Sequence, residues 1–411
     1  MFMLKKSLFL FVILFLIISN DFGLTQDFNW SANLRFRSMT EKHPEINWEK
    51  EFSSFSETRS RLGLNIIGDY ASAKLVLQDS RFLGNIENNP GVTSTTDSPS
   101  FHEVYFTFKN LKIPFFNYDF IKIGRFELAL GNQRLIAKNN WNNIGRSFEG
   151  VLGKDDFLSG SLLLMHLFVN ETMNEYHDDR KDVVIDGAYW TKNILSLEET
   201  SAYELYFLNF RNMNFGVLGD SLISYNNVGV RLNAQKNNLV LESEITFQTS
   251  SGTSSENIAS ANLLSINLGY KPKKIKYLKS VFLGMDQISG DDTTTKNTKE
   301  GFSKEFGARH KHHGYYDYSS HTKYFGHHHE GLKEISLKAN INIPKKTNLL
   351  IAFHDFKSGF GNIHYGKEID FIFKTKHNKE ITSEFGSIFY FPKEGDKNTL
   401  PFFYVMITSN F

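Results

Sequence analysis

The chain has 411 residues, no cysteine, and 46 basic against 45 acidic side chains. Without cysteine there is no disulfide scaffold and no lipidated N-terminal Cys, and a balanced charge gives no attraction to nucleic acid. With 39 Phe and 17 Tyr against 8 Pro, the composition favours strands over helices.

At the start, Lys5 and Lys6 precede an apolar run, Leu8 to Ile18, and the chain turns polar at Ser19. A positive head, a short apolar stretch and small residues at Gly23 and Thr25 have the form of a secretory signal peptide. Residues 1–25 are therefore expected to be removed, with a retained anchor as the alternative, and 26–411 to form one domain. No later window reaches the roughly 18 uninterrupted apolar residues of a membrane helix. Without Lys5, Lys6 and Asp21 the charges balance at 44 and 44.

From there the chain alternates. Trp30, Ala32, Leu34 and Phe36 oppose Ser31, Asn33, Arg35 and Arg37; Leu62, Leu64 and Ile66 oppose Arg59, Arg61, Gly63 and Asn65; Val104, Phe106 and Phe108 oppose Glu103, Tyr105, Thr107 and Lys109. Such a period of two predicts strands with one apolar and one polar face. About 18 runs qualify, near 29–38, 58–68, 72–80, 101–110, 119–128, 147–154, 158–170, 182–191, 202–210, 224–235, 237–247, 260–271, 277–286, 332–343, 348–357, 364–376, 380–390 and 402–411.

Connections such as Gly68-Asp-Tyr70, Lys236-Asn-Asn238 and Pro344-Lys-Lys-Thr347 are short, whereas 39–57, 81–100, 129–146, 171–181, 248–259 and 287–331 are long. Short turns at one end and long loops at the other predict an all-β transmembrane antiparallel barrel of about 18 strands in the Gram-negative outer membrane. A soluble β-sandwich would have uniformly apolar inner faces, yet here arginines and acids lie deep within strands. At the end, positions 403, 405, 407, 409 and 411 share a mostly apolar face.

Eight of the twelve arginines fall between residues 35 and 146. If the first two strands are neighbours, Arg35, Arg37, Arg59 and Arg61 form a patch in the lumen. Such a patch either selects anions, whose carboxylates or phosphates match the guanidinium fork, or pairs with acids such as Glu57, Asp79, Glu103 and Glu127 and stiffens the wall.

The segment Lys122 to Gly150 (KIGRFELALGNQRLIAKNNWNNIGRSFEG), with Gln78-Asp-Ser-Arg-Phe-Leu-Gly84 and Glu57 to Leu64, resembles the alginate export family of outer-membrane β-barrels. The resemblance continues through His310 to Asp317, Gly331 to Lys338 and Tyr365 to Phe371. It implies an 18-stranded barrel whose arginine-rich pore passes an anionic polysaccharide outward, with loops partly closing it. By position it marks Arg59, Arg61, Asp79, Arg81, Arg125, Glu127, Arg134 and Arg146 as lumen or constriction residues, and it gives Asp317 a place in a His-containing aromatic segment. Only Arg180, Arg211, Arg231 and Arg309 follow in the second half, so the pore is not expected to be uniformly basic.

Seven of the fourteen histidines lie between His310 and Glu330. His310, His312, His313, His327, His328 and His329 are candidate metal ligands if the backbone gathers three or four. Packing and pH-sensitive charge are the plainer readings. There is no nucleophile elbow, no phosphate loop and no helical metalloprotease spacing. The sequence thus predicts a channel for anionic oligo- or polysaccharide, not an enzyme and without cofactor, in contact with outer-membrane lipid and the barrel-assembly machinery and not with nucleic acid. A general porin and a barrel with a metal-binding loop are the alternatives.

Overall fold

The computed structural model describes residues 27–42, 52–83, 97–113, 116–170, 183–198, 201–212, 224–250, 257–258, 261–296, 298–304, 306–316, 329–393 and 399–411. The expected signal peptide lies outside them. The first strands are β1 (Asp27–Glu41), β2 (Ser53–Ile67), β3 (Ala71–Leu83), β4 (Asp97–Ile113), β5 (Phe116–Phe126), β6 (Phe148–Phe157) and β7 (Gly160–Asn170). They continue as β8 (Val183–Asn193), β9 (Ala202–Asn212), β10 (Tyr225–Lys236), β11 (Leu239–Ser250), β12 (Asn257–Ile258), β13 (Ala261–Tyr270) and β14 (Leu278–Ile288). The last are β15 (Thr298–Lys299), β16 (Leu332–Ile343), β17 (Thr347–Lys357), β18 (His364–Lys376), β19 (Ile381–Pro392) and β20 (Leu400–Asn410).

Eighteen of these form one antiparallel sheet. The two-residue β12 and β15 pair with each other outside it. The sheet closes because β1 pairs with β2 on one side and with β20 on the other, from Asn33 opposite Asn410 to Glu41 opposite Phe402. Each barrel strand overlaps one predicted run. The largest shift is at β2, which starts at Ser53 rather than at 58, because polar Ser54 and Ser56 still pair with Thr40 and Ser38 of β1. Short turns at 68–70, 158–159, 237–238 and 344–346 lie at one end, and the long connections at the other.

Alternation sets the two faces. Trp30, Leu34, Leu62, Phe106, Phe108, Leu337, Val405 and Ile407 are exposed on the outside, the surface that meets lipid. The inner face is less polar than the alternation predicts. Phe126, Phe148, Leu167, Ile185, Leu208, Leu263, Ile288, Tyr390 and Tyr404 point inward and are buried. The reason is that segments 127–147, 300–304 and 306–316 fold into the lumen and bring Leu128, Leu130, Ile136 and Phe302 against them.

Leu337, half-exposed midway along β16, tests the lipid-facing assignment. Leu337→Arg should lower unfolding free energy in bilayers by about 2–4 kcal/mol, read from denaturant titration of the folded barrel. A change near zero would place that face away from hydrocarbon.

Candidate functional site

Arg35 and Arg37 on β1 and Arg59 and Arg61 on β2 occupy inner positions, and the register makes them neighbours. Arg35 lies opposite Arg59, Arg37 opposite Glu57, and Asn33 opposite Arg61. Four guanidiniums so close repel one another and need many acceptors. The segment 127–147 supplies them, because its Asn-rich turn aims carbonyls at the wall. Arg35 donates to Asn140 O at 2.7 Å, to Asn142 O at 3.2 Å and to Asn143 Oδ1 at 3.0 Å. Arg59 reaches Asn140 O at 3.4 Å. Arg61 donates to Ile144 O at 3.2 Å and Gln78 Oε1 at 2.6 Å.

Among the described residues, two carboxylates pair with this group. Glu57 pairs with Arg37 and lies 3.6 Å from Arg35; Glu127 lies 2.9 Å from Arg61. Burial pushes the Glu127 carboxyl up, but the hydrogen bond with His102 and the charges of Arg61 and Lys138 hold it down to about 2. Four fixed cations against two anions leave the wall positive. Arg37 also lies 4.2 Å from the ring of Trp141, and that indole stacks on His310 at 3.6 Å.

From β9 round to β18 the inner face carries an acidic wall that the sequence reading did not single out. Glu204 of β9, Glu244 of β11, Asp286 of β14, Glu334 of β16, and Glu368 and Asp370 of β18 are all buried on the inner face. Arg231 donates to both Glu204 oxygens at 2.8 Å, and Tyr206 donates to Glu244 at 2.8 Å. Arg134, from the inward segment, bridges to this wall, 2.5 Å from Asp286 and 3.9 Å from Glu244. Burial opposes its charge, yet these two acids raise its pKa above the ordinary value.

The second inward stretch, 300–304 with 306–316, docks on the first. Ala137 N–H donates to Phe306 O at 2.9 Å and Ala308 N–H to Gln133 O at 2.8 Å. A Cβ at Gly307 would lie 1.9 Å from Arg134 O, so the approach requires glycine. Gly314 has φ +83, and its turn aims the amides of Tyr315 and Tyr316 at Glu368 Oε1, at 2.6 and 3.0 Å. His313 lies between, with Nδ1 2.5 Å from Glu334 Oε2 and Nε2 2.7 Å from Lys304 Nζ. Burial and the neighbouring Lys304 lower His313 to about 4. It is therefore neutral at pH 7, with Nδ1–H donating to Glu334 and Nε2 accepting from Lys304. Burial and Arg134 push Lys304 well below an ordinary lysine.

The expected metal ligands part company here. Asp286, His313 and Glu334 bring ligand atoms within 4.8 Å of one another. Arg134 engages Asp286, Lys304 engages His313, and His354 reaches Glu334 at 2.6 Å, so the lone pairs a metal would need are already in use. His310 stacks on Trp141, His312 Nε2 lies 3.0 Å from Asn132 O, and the His329 carbonyl accepts the Asp291 amide. His327, His328 and Asp317 lie outside the described residues.

Of the other expected pore residues, Glu103 faces inward, 2.6 Å from Lys74, and Arg146 donates to Phe306 O at 2.5 Å. Asp79, Arg81 and Arg125 stand on the outer face. Their strand neighbours Gln78, Ser80 and Phe126 are buried inside, while Leu77 and Ile123 beside them are exposed outside. Arg81 pairs with Asp79 and Arg125 with Glu149, each at 2.6 Å. Near the long-loop end the outer face borders lipid headgroups rather than hydrocarbon, so polarity there no longer tells inside from outside.

Recesses among the described residues include two beside these groups. One of about 270 Å³ lies between the inward segments, lined by Trp141, Arg309, His310, Lys311, Tyr315 and Glu384. The other, of about 380 Å³, lies toward the short-turn end beside Lys74, Tyr105, Lys109, Phe120 and Lys122.

The sequence model of the alginate export family matches residues 26–359, which takes in both inward segments. Solved structures similar to the chain include Acinetobacter baumannii OccAB4, at 13% identity and TM-score 0.61, covering 95% of this chain and 99% of that one. A BenF-like porin from Pseudomonas fluorescens Pf-5 is similar at 10% identity and TM-score 0.63, covering 94% and 98%. Pseudomonas aeruginosa OccK9 (OpdG) is similar at 11% identity and TM-score 0.63, covering 93% and 98%. At these identities the likeness is one of fold. No curated protein matches the sequence.

Arg134→Ala should leave Asp286 and Glu244 without their cation and weaken docking of the inward segments by about 3–5 kcal/mol. Amide exchange at Ala137 and Ala308 reads this out; unchanged protection would remove Arg134 from the docking account. A second outcome concerns pH. An undocked His313 takes its proton near pH 6.5, a docked one near 4. Docking is therefore strongest above pH 6.5 and loses roughly 3 kcal/mol as pH falls through that window. Exchange at the His313 amide should follow this course, and His313→Gln should flatten it.

Proposed function

Because the chain belongs to the alginate export family, and is with it a channel of the Gram-negative outer membrane, we propose that it passes anionic oligo- or polysaccharide along the arginine wall of its lumen. The observation that carries this reading is the excess of guanidiniums over carboxylates at β1 and β2, four against two, with backbone carbonyls making up the remaining acceptors. A carbonyl satisfies a donor without cancelling its charge, so the wall keeps a positive field in a low-dielectric interior. Lys109 and Lys122 extend that sign toward the short-turn end. The acids across the lumen face the solute's other side.

Such a divided lumen suits a sugar acid better than a small inorganic anion. A uronate-like unit presents a carboxylate to the arginines and hydroxyls that donate to the buried carboxylates, and its apolar ring face can lie on Tyr315. Weak, repeated contacts of this kind allow entry and release alike. The outer-facing Asp79, Arg81 and Arg125 have no part in this path. Arg134, Arg146 and Glu127 hold the segments that narrow it.

The neutral mature charge favours a second reading, a general porin that sorts solutes by size. The two separate in planar bilayers. Anion-selective transport predicts a reversal potential of anionic sign in a salt gradient, shifted toward zero by Arg35→Ala with Arg59→Ala, and current block by oligouronates but not by neutral oligosaccharides of equal length. Charge-indifferent permeation would reject the proposal in favour of the porin.

A further inference from the structure

The outer surface of the barrel carries charges where strands meet the long connections. On β3 to β9 these charges are matched: Arg81 with Asp79, Arg125 with Glu149, and Asp186 with both Arg211 at 2.5 Å and His166 at 2.6 Å. On β16 to β18 they are not. Lys333, Lys357 and Lys367 each neighbour a buried inward residue, Glu334, Phe356 and Glu368, and so point outward. Lys333 is the direct cross-strand partner of Lys357. Lys367 lies opposite Asp355, but Asp355 is held by His364 at 2.7 Å. Among the described residues none of the three lysines has a hydrogen bond or ion pair.

Like charges directly opposite each other in a sheet destabilise it. That cost remains unless an anion sits between the ammonium groups. The surface just below is apolar, with Ile335 two residues from Lys333, then Leu337, and Phe353 on the next strand. Cations above a greasy face, at the extracellular end of the strands, match a phosphorylated lipid whose headgroup lies level with the lysines and whose chains run down the strands. A soluble acidic protein would not cover the lower half.

We infer that Lys333, Lys357 and Lys367 form a binding site for the phosphate of an anionic outer-leaflet glycolipid of the lipid A class. Lysine serves such groups as a point charge, and each basic side chain at an anionic membrane surface strengthens attachment several-fold.

The full-length barrel in nanodiscs of phosphatidylcholine can be titrated with diphosphorylated lipid A and bound lipid counted by native mass spectrometry. The wild type should bind, K333Q/K357Q/K367Q about 100-fold more weakly, and D79N/R81Q like wild type. Heat-shifted gel mobility checks that each barrel is folded, and if the triple variant fails that check, K333Q and K367Q singly should each weaken binding. Equal binding by the lysine variants, or of dephosphorylated lipid A by the wild type, would overturn the site. Displacement by inorganic phosphate at millimolar concentration would reassign it to free phosphate. A lysine-dependent dimer would reassign it to a second copy of the chain.

Discussion

A backbone amide in hydrocarbon has no water to bond, so a strand that crosses the bilayer must be paired along both edges. For this chain the requirement is met by the pairing of β1 with β20, which turns an eighteen-stranded sheet into a closed wall. Everything else depends on that closure. It forces the apolar half of each strand outward and the polar half inward, and it encloses a space too wide for strand side chains to fill. Among the described residues, two connections occupy that space. They bring their own carbonyls, amides and charges, and these meet a wall already set with arginines on one side and acids on the other.

The charges of the interior are handled in two ways. On the acidic side each carboxylate meets a cation, a tyrosine or an imidazole, as with Arg231 on Glu204, Tyr206 on Glu244 and His313 on Glu334. On the basic side the partners are largely neutral carbonyls of residues 140–144. The first arrangement cancels charge, whereas the second occupies donors and leaves the charge in place. An isolated buried carboxylate would cost far more than a bonded one, which accounts for the density of partners around Asp286 and Glu334. The inward segments are thus held by the acidic wall through Arg134 and His313, while they cap the basic one.

The strands were legible in the sequence because period two is written in local residue order. Arg35, Arg37, Arg59 and Arg61 could be gathered on one face from parity alone, and the register of β1 against β2 puts them there. The resemblance, not parity, had assigned Asp79, Arg81 and Arg125 to the lumen, and there it failed: all three share the outward parity of Leu77 and Ile123. Close to the headgroups, charge on the outer face is tolerated and the pattern loses its meaning. The acidic wall went unread for a different reason. Its six members come from five strands spread along the chain, and one or two acids per strand give no local signal, although Glu334 and Glu368 both lie in segments that carried the resemblance.

What the sequence determined by itself is the wall: eighteen alternating runs, short turns and long loops, a barrel, and a concentration of arginine in its first strands. These follow from contacts between near neighbours and from the polarity of two faces. Only the tertiary structure decided where the long loops go. Arg35 meets Asn140 across 105 residues of chain, Arg134 meets Asp286 across 152, and Ser303 meets Gln248 across 55. Such pairings have no period and no spacing. They exist because the closed barrel brings one rim's loops over one another and over buried charges that need partners. The histidine-rich stretch shows the same division, since its composition advertised a metal, and the fold gave His310 to an indole, His312 to a carbonyl and His313 to a carboxylate.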